Sequence, residues 1–75
     1  MLLGPRKAQI VKVAPSDIHG QRFHDLYYFF LEDPDKTIQA SRVPVESVYS
    51  DPQPGDLVSI DFMMNVPTKV ERLVH

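Results

Sequence analysis

The densest concentration of chemistry-bearing residues is the run Tyr27-Tyr28-Phe29-Phe30, with Phe23 four positions before it. Aromatic side chains suit a pleated strand. In extended backbone, neighbours point to opposite faces. Phe23, Tyr27, Phe29 and Leu31 would therefore share one face. Arg22, His24, Leu26, Tyr28 and Phe30 would share the other. One set must fill a core. The set left outside, if cations flank it, becomes a platform on which the bases of a single-stranded nucleic acid stack, at about 1–3 kcal/mol per base. The bland alternative is that both faces are covered, one by the barrel core and one by a dimer interface or a terminus. Alternation alone does not say which pair, Tyr27 with Phe29 or Tyr28 with Phe30, faces water.

The cations that would accompany such a platform are Arg6, Lys7, Lys12, Arg22, Lys36, Arg42, Lys69 and Arg72. Eight Lys/Arg stand against ten Asp/Glu, a net charge of −2. A phosphate-binding protein usually carries a basic excess, so charge must be segregated locally for this reading to hold. Lys12, Arg22 and Arg42 fall on three consecutive strand candidates and are the expected basic stripe. The acids gather elsewhere, with Glu32, Asp33 and Asp35 at one turn and Asp51, Asp56 and Asp61 in the later half. The candidate nucleic-acid-binding residues are thus Lys12, Arg22, Phe23, Tyr27, Phe29 and Arg42. The competing reading of the cations is a solvated surface, where exposed ion pairs contribute about 0–1 kcal/mol.

Other chemistries find little support. His19, His24 and Asp25 supply zinc-ligand types, but a strand sends His24 and Asp25 to opposite faces. Residues 32–35 lack the ligand count and glycine of a calcium loop. There is no cysteine, hence no thiolate nucleophile, disulfide or thiolate metal site. A Gly-x-Ser-x-Gly elbow and a glycine-rich phosphate loop are absent too. The expectation is a protein that is not an enzyme and needs no cofactor.

The elements that must position these residues are read from punctuation. Residues 7–14 are strand-like, and Pro15-Ser16-Asp17 with His19-Gly20 marks a loop. Residues 22–32 form the strongest strand. Asp33-Pro34-Asp35 is a tight turn, and residues 36–43 return. Pro44 to Tyr49 suits a single helical turn, closed by Ser50 to Gly55. In residues 56–64, Val58, Ile60, Phe62 and Met64 alternate with Ser59 and Asp61. Asn65-Val66-Pro67 turns into a last strand at 68–74. All seven prolines lie between these strands or at their ends, where proline breaks no ladder.

One domain of 75 residues follows, small enough that its stability is on the order of 3–5 kcal/mol. The composition, 43% hydrophobic and 24% charged, is that of a globular chain. No apolar run approaches the roughly 20 residues of a membrane span, and no signal sequence is evident. A cytoplasmic location is expected.

Strand, strand, strand, short helical turn, strand, strand is the order of a small all-β, five-stranded OB-like barrel. An SH3-like barrel would put its helical turn between the last two strands, where Asn65-Val66-Pro67 leaves no room. Val11-Lys12-Val13-Ala14-Pro15-Ser16, Gly20-Gln21-Arg22-Phe23, the approach from Tyr49 to Gly55, and Glu71-Arg72-Leu73-Val74 together resemble the small single-stranded-DNA-binding proteins of filamentous phages, the gene V type. That resemblance spans most of the chain as a layout. It implies an OB barrel that binds single-stranded DNA or RNA, and the short chain with its sheet edges adds the expectation of a homodimer. The acidic Asp33-Pro34-Asp35 turn departs from the family's DNA-contacting loop. A different outcome is suggested by Met63, Met64 and Val66. Methionine-rich apolar surface suits adaptable protein contacts, and a sheet edge suits pairing with another chain, so a protein-interaction or dimerisation module is the alternative.

Overall fold

The computed structural model describes residues 4–73. It contains five antiparallel strands in one sheet: β1 (Arg6–Ile18), β2 (Gln21–Phe30), β3 (Gln39–Pro44), β4 (Leu57–Met63) and β5 (Val66–Arg72). A single 3-10 turn, Val45–Ser47, lies between β3 and β4, as the prolines and the short apolar stretch predict. The spatial order is β3-β2-β1-β4-β5. The sheet curls but does not close, because β3 and β5 share no ladder. Among the described residues, the backbone pairing on that side is the isolated parallel bridge between Val48 and Val70.

β1 is longer than the punctuation suggests. It runs through Pro15-Ser16-Asp17, and only His19-Gly20 forms the turn. Proline is tolerated there because β1 pairs with β4 only over Arg6 to Gln9. Beyond that point it has one neighbouring strand, and Pro15 sits where an edge exists. His19 and Gly20 both have positive φ, 52° and 82°, the signature of the type I′ turn that matches strand twist.

β2 covers residues 21–30, and the connection that follows is wider than the tight turn expected at Asp33-Pro34-Asp35. Asp33 builds it. Its carboxylate accepts from the backbone N–H groups of Asp35 (3.0 Å) and Thr37 (3.1 Å), so that β3 begins at Gln39 rather than at residue 36.

The core is one cluster formed by Ala8, Ile10, Leu26, Tyr28, Phe30, Val43, Val48, Val58, Ile60 and Val70, with Val13, Tyr49 and Phe62 packed against it. Alternation explains most of it: Leu26, Tyr28 and Phe30 on β2, and Val58 and Ile60 on β4. Two irregularities adjust the register. One extra residue, Val11, bulges between Ile10 and Lys12 on β1. Another shift falls at Asp61/Phe62 against β5. Bulges bend and twist a strand, which here helps a single sheet wrap around its own apolar face.

Met64 does not continue the inward alternation of Val58, Ile60 and Phe62. It occupies the tip of the β4–β5 hairpin, 91% exposed, at φ 51°, followed by Asn65 at φ 68°. Met63 and Val66 pair across the turn, so Val66 and Pro67 belong to β5 rather than to the loop. A left-handed methionine is strained by roughly 1–2 kcal/mol. Met64→Gly should therefore stabilise the fold by about 1 kcal/mol after glycine's entropic cost is subtracted, read as a higher urea midpoint with an unchanged slope.

Candidate functional site

The pairing register decides which β2 aromatics face water. Tyr28 and Phe30 are in the core, at 2% and 8% exposure, so they cannot serve as the exposed stacking pair. Phe23, Tyr27 and Phe29 lie on the opposite, outward face and are half-buried.

Cross-strand partners share that face. On β1, Lys12 stands directly opposite Tyr27, with Ala14 opposite Asp25 and Ser16 opposite Phe23. On β3, Ala40 stands opposite Tyr27, Arg42 opposite Asp25 and Pro44 opposite Phe23. The Val11 bulge is what brings Lys12 here. Without the extra residue, strict alternation from Ile10 would turn Lys12 toward the core. The loop preceding β4 braces this point, since Ile10 donates its N–H to the Asp56 carbonyl (3.0 Å) and accepts from the Gly55 N–H (2.6 Å).

The expected basic stripe is only partly assembled. The Lys12 ammonium lies 5.4 Å from the centre of the Tyr27 ring. Arg42 reaches the face, but both of its bonds there go to Asp25, Nε at 2.8 Å and Nη2 at 3.2 Å. Arg22 does not join them. It has the opposite parity to Tyr27 and sits at the β1–β2 hairpin end, exposed and with Asp17 as its cross-strand partner. In its place the structure supplies Lys36, whose ammonium is 5.8 Å from the Phe29 ring centre. Lys36 belongs to the loop after β2 and has positive φ, 52°, so strand reasoning could not assign it to this face. The face is therefore a row of three aromatic side chains, with ammonium groups over two of them and a guanidinium–carboxylate pair set between Phe23 and Tyr27. Such ammonium–ring contacts are worth about 0.5–1 kcal/mol when exposed.

A second feature lies around the edge of β3. A groove of about 600 Å³ opens at the unclosed side of the sheet, between β3 and the β4–β5 hairpin. Phe62 and the core residues Tyr28 and Phe30 line it, and Met63 and Met64 form one lip. Phe30 and Phe62 stand 5.9 Å apart at 58°. The Arg6 guanidinium lies 3.6 Å over Phe30 and donates to Glu32 at 2.8 Å.

Three carboxyls are held below their ordinary range. For Asp25 the main cause is the hydrogen bond from Arg42. For Asp33 it is the backbone N–H groups of Asp35 and Thr37. For Asp56 it is the Tyr49 hydroxyl, which donates at 2.6 Å, followed by the Gln53 N–H. Tyr49 is pushed up, by burial first and then by its bond to Asp56. In the unfolded chain these acids titrate near pH 4 (about 3.9). Folding lowers their proton affinity, so their stabilising contribution is present above about pH 4 and is lost as pH falls through the folded values. For Tyr49 the sign reverses, and its contribution is lost as pH rises above about 10. Urea midpoints should thus drop as pH falls below about 4 and again as it rises above about 10. Asp56→Asn should soften the acid limb.

Among the described residues no helix is long and apolar enough to cross a membrane. His24 and Asp25 point to opposite faces as expected, and the described residues contain no group of three His, Asp or Glu placed to hold a metal. In comparisons with protein-family models, with curated proteins and with solved structures, nothing matches this chain.

Proposed function

We propose that the outward face of β2 and β3 binds single-stranded DNA or RNA without strong sequence preference. Bases stack on Tyr27 and Phe29, with Phe23 at the far end of the row, while Lys12 and Lys36 neutralise neighbouring phosphates. The observation that carries this reading is the row itself: outward aromatic rings on one strand, two of them attended by an ammonium group. Stacking needs no base-specific partner, because every base offers a flat face. The sheet order β3-β2-β1-β4-β5, with a helical turn between β3 and β4, is compatible with an OB-like barrel left open between β3 and β5. This supports the same reading, as does the resemblance to the filamentous-phage proteins. A homodimer acting in the cytoplasm belongs to this proposal.

The modest cation count sets the test. With Arg42 engaged by Asp25, two phosphates are neutralised. For single strands the slope of log K against log salt is then about −1.4, from about −0.7 per phosphate. Anisotropy of a labelled mixed-sequence single strand, titrated from about 20 to 200 mM salt, should give that shallow slope. A slope several times steeper would mean that cations outside this face dominate. No saturable binding would remove the proposal.

A second reading has its own observation. Met63, Met64 and Val66 are 67%, 91% and 59% exposed at one hairpin, an uncharged apolar patch of the kind a protein-docking module needs. Self-association or a protein partner would then replace nucleic acid.

A further inference from the structure

Nothing in the fold rewards Met64. It is neither buried nor conformationally relaxed, yet it lies on the lip of the groove at the unclosed side of the sheet. That groove is not a plain apolar cleft. Aromatic residues line it, but so do the amide residues Gln39 and Asn65. Ser41 and Tyr28 bring hydroxyls, which bond to each other at 2.8 Å. At its Phe30 end the Arg6 guanidinium is steadied by Glu32. Apolar walls with a few polar groups, at this volume, are the usual make-up of a small-ligand site.

The groove also adjoins the stacking face across β3. Ala40 and Ser41 line it and also line the smaller hollow formed by Asp25, Tyr27 and Arg42. Ala40 is the residue directly opposite Tyr27, and its side chain is a single methyl. A strand lying on Tyr27 therefore meets almost no barrier at the edge of β3.

We infer that the groove is a pocket for one nucleobase of the bound single strand, turned over the β3 edge at Ala40 and held between the half-buried Phe62 and Met64. A base fits this lining because its faces are flat and apolar while its edge carries donors and acceptors for Gln39 and Asn65. The inference rests on the proposed single-strand binding. It adds a site off the sheet face and gives a reason for a strained, exposed methionine, since strain persists where function uses it.

The experiment is an NMR titration of the whole chain with a mixed-sequence single-stranded DNA about eight nucleotides long, within the span one such domain covers. The expected result is that the Met63 and Met64 methyl signals and the Gln39 and Asn65 side-chain amides move with the same midpoint as the Tyr27 and Phe29 ring signals. Met64→Gly should then weaken binding about fivefold or more, the low end of one stacked base, while the Tyr27 signals still respond. If the Tyr27 and Phe29 signals move and the groove signals do not, the pocket is wrong and the stacking face stands. If none moves, single-strand binding itself is wrong. If the groove signals shift with protein concentration in the absence of DNA, a second copy fills the groove and the inference is overturned.

Discussion

Replacing Tyr27 and Phe29 together by alanine should remove single-strand binding, lowering affinity by about 2–6 kcal/mol, which is twice the worth of one stacked base. Each single substitution should cost about half of that. The effect is large because the row contains few other attractive contacts. Arg42 is already bonded to Asp25, and Arg22 stands on the other parity of the strand. Stacking must therefore supply most of the affinity, and two lysines the rest. Both aromatics point away from the core, so the double variant should keep its fold. A urea melt measures any loss of stability, and anisotropy with a labelled strand measures binding. A double variant that folds and binds like the parent would place the contact surface elsewhere, with the Met63–Val66 hairpin the next candidate.

Leu26→Ala should unfold much of the population at room temperature. Leu26 is 1% exposed and sits at the centre of β2, between partners on β1 and β3. Truncating a buried leucine costs about 2–5 kcal/mol, partly through the cavity left behind. A domain of this size has on the order of 3–5 kcal/mol to lose. Ile18→Ala is the matched control, because Ile18 is exposed at the end of β1 and surface substitutions usually stay within about 0.5 kcal/mol. Circular dichroism in urea should show a collapsed or absent transition for Leu26→Ala and a near-parental one for Ile18→Ala. Two similar melts would mean that the core does not pass through β2 as described.

How much of this was legible in the chain follows from what each signal depends on. Proline and glycine placement marked the strand number and order, because these residues act locally. The aromatic run marked β2 for the same reason. Alternation separated Tyr27 and Phe29 from Tyr28 and Phe30 but could not say which pair is inside, since that depends on pairing with β1 and β3. The Val11 bulge was hidden likewise: an extra residue only has meaning relative to a partner strand. It decides the side Lys12 takes. Pro15 read as a breaker because its tolerance depends on β4 beginning only opposite Gln9, a fact of topology. Asp33 was seen as a turn residue, but its two accepted backbone bonds widen the loop, delay β3 and present Lys36 to Phe29. The groove between β3 and the β4–β5 hairpin had no signal along the chain beyond the exposed apolar residues Met63, Met64 and Val66, because its walls come from segments far apart in sequence.

The strain at Met64 and the weak net charge point the same way. A hairpin tip built only for stability would carry glycine or asparagine at that position. A face built only for electrostatic capture would not set a carboxylate between Phe23 and Tyr27. Both features fit a surface that selects flat, unpaired bases over charge alone, and such a surface should reject a duplex, whose bases are already stacked.

The most direct measurement is therefore a paired anisotropy titration at about 20 mM salt, well below the range where screening dominates, comparing a labelled mixed-sequence single strand with the same strand in a duplex. Saturable binding to the single strand with little or none to the duplex is the expected result. Equal binding to both, or binding to neither, would contradict a stacking face on β2.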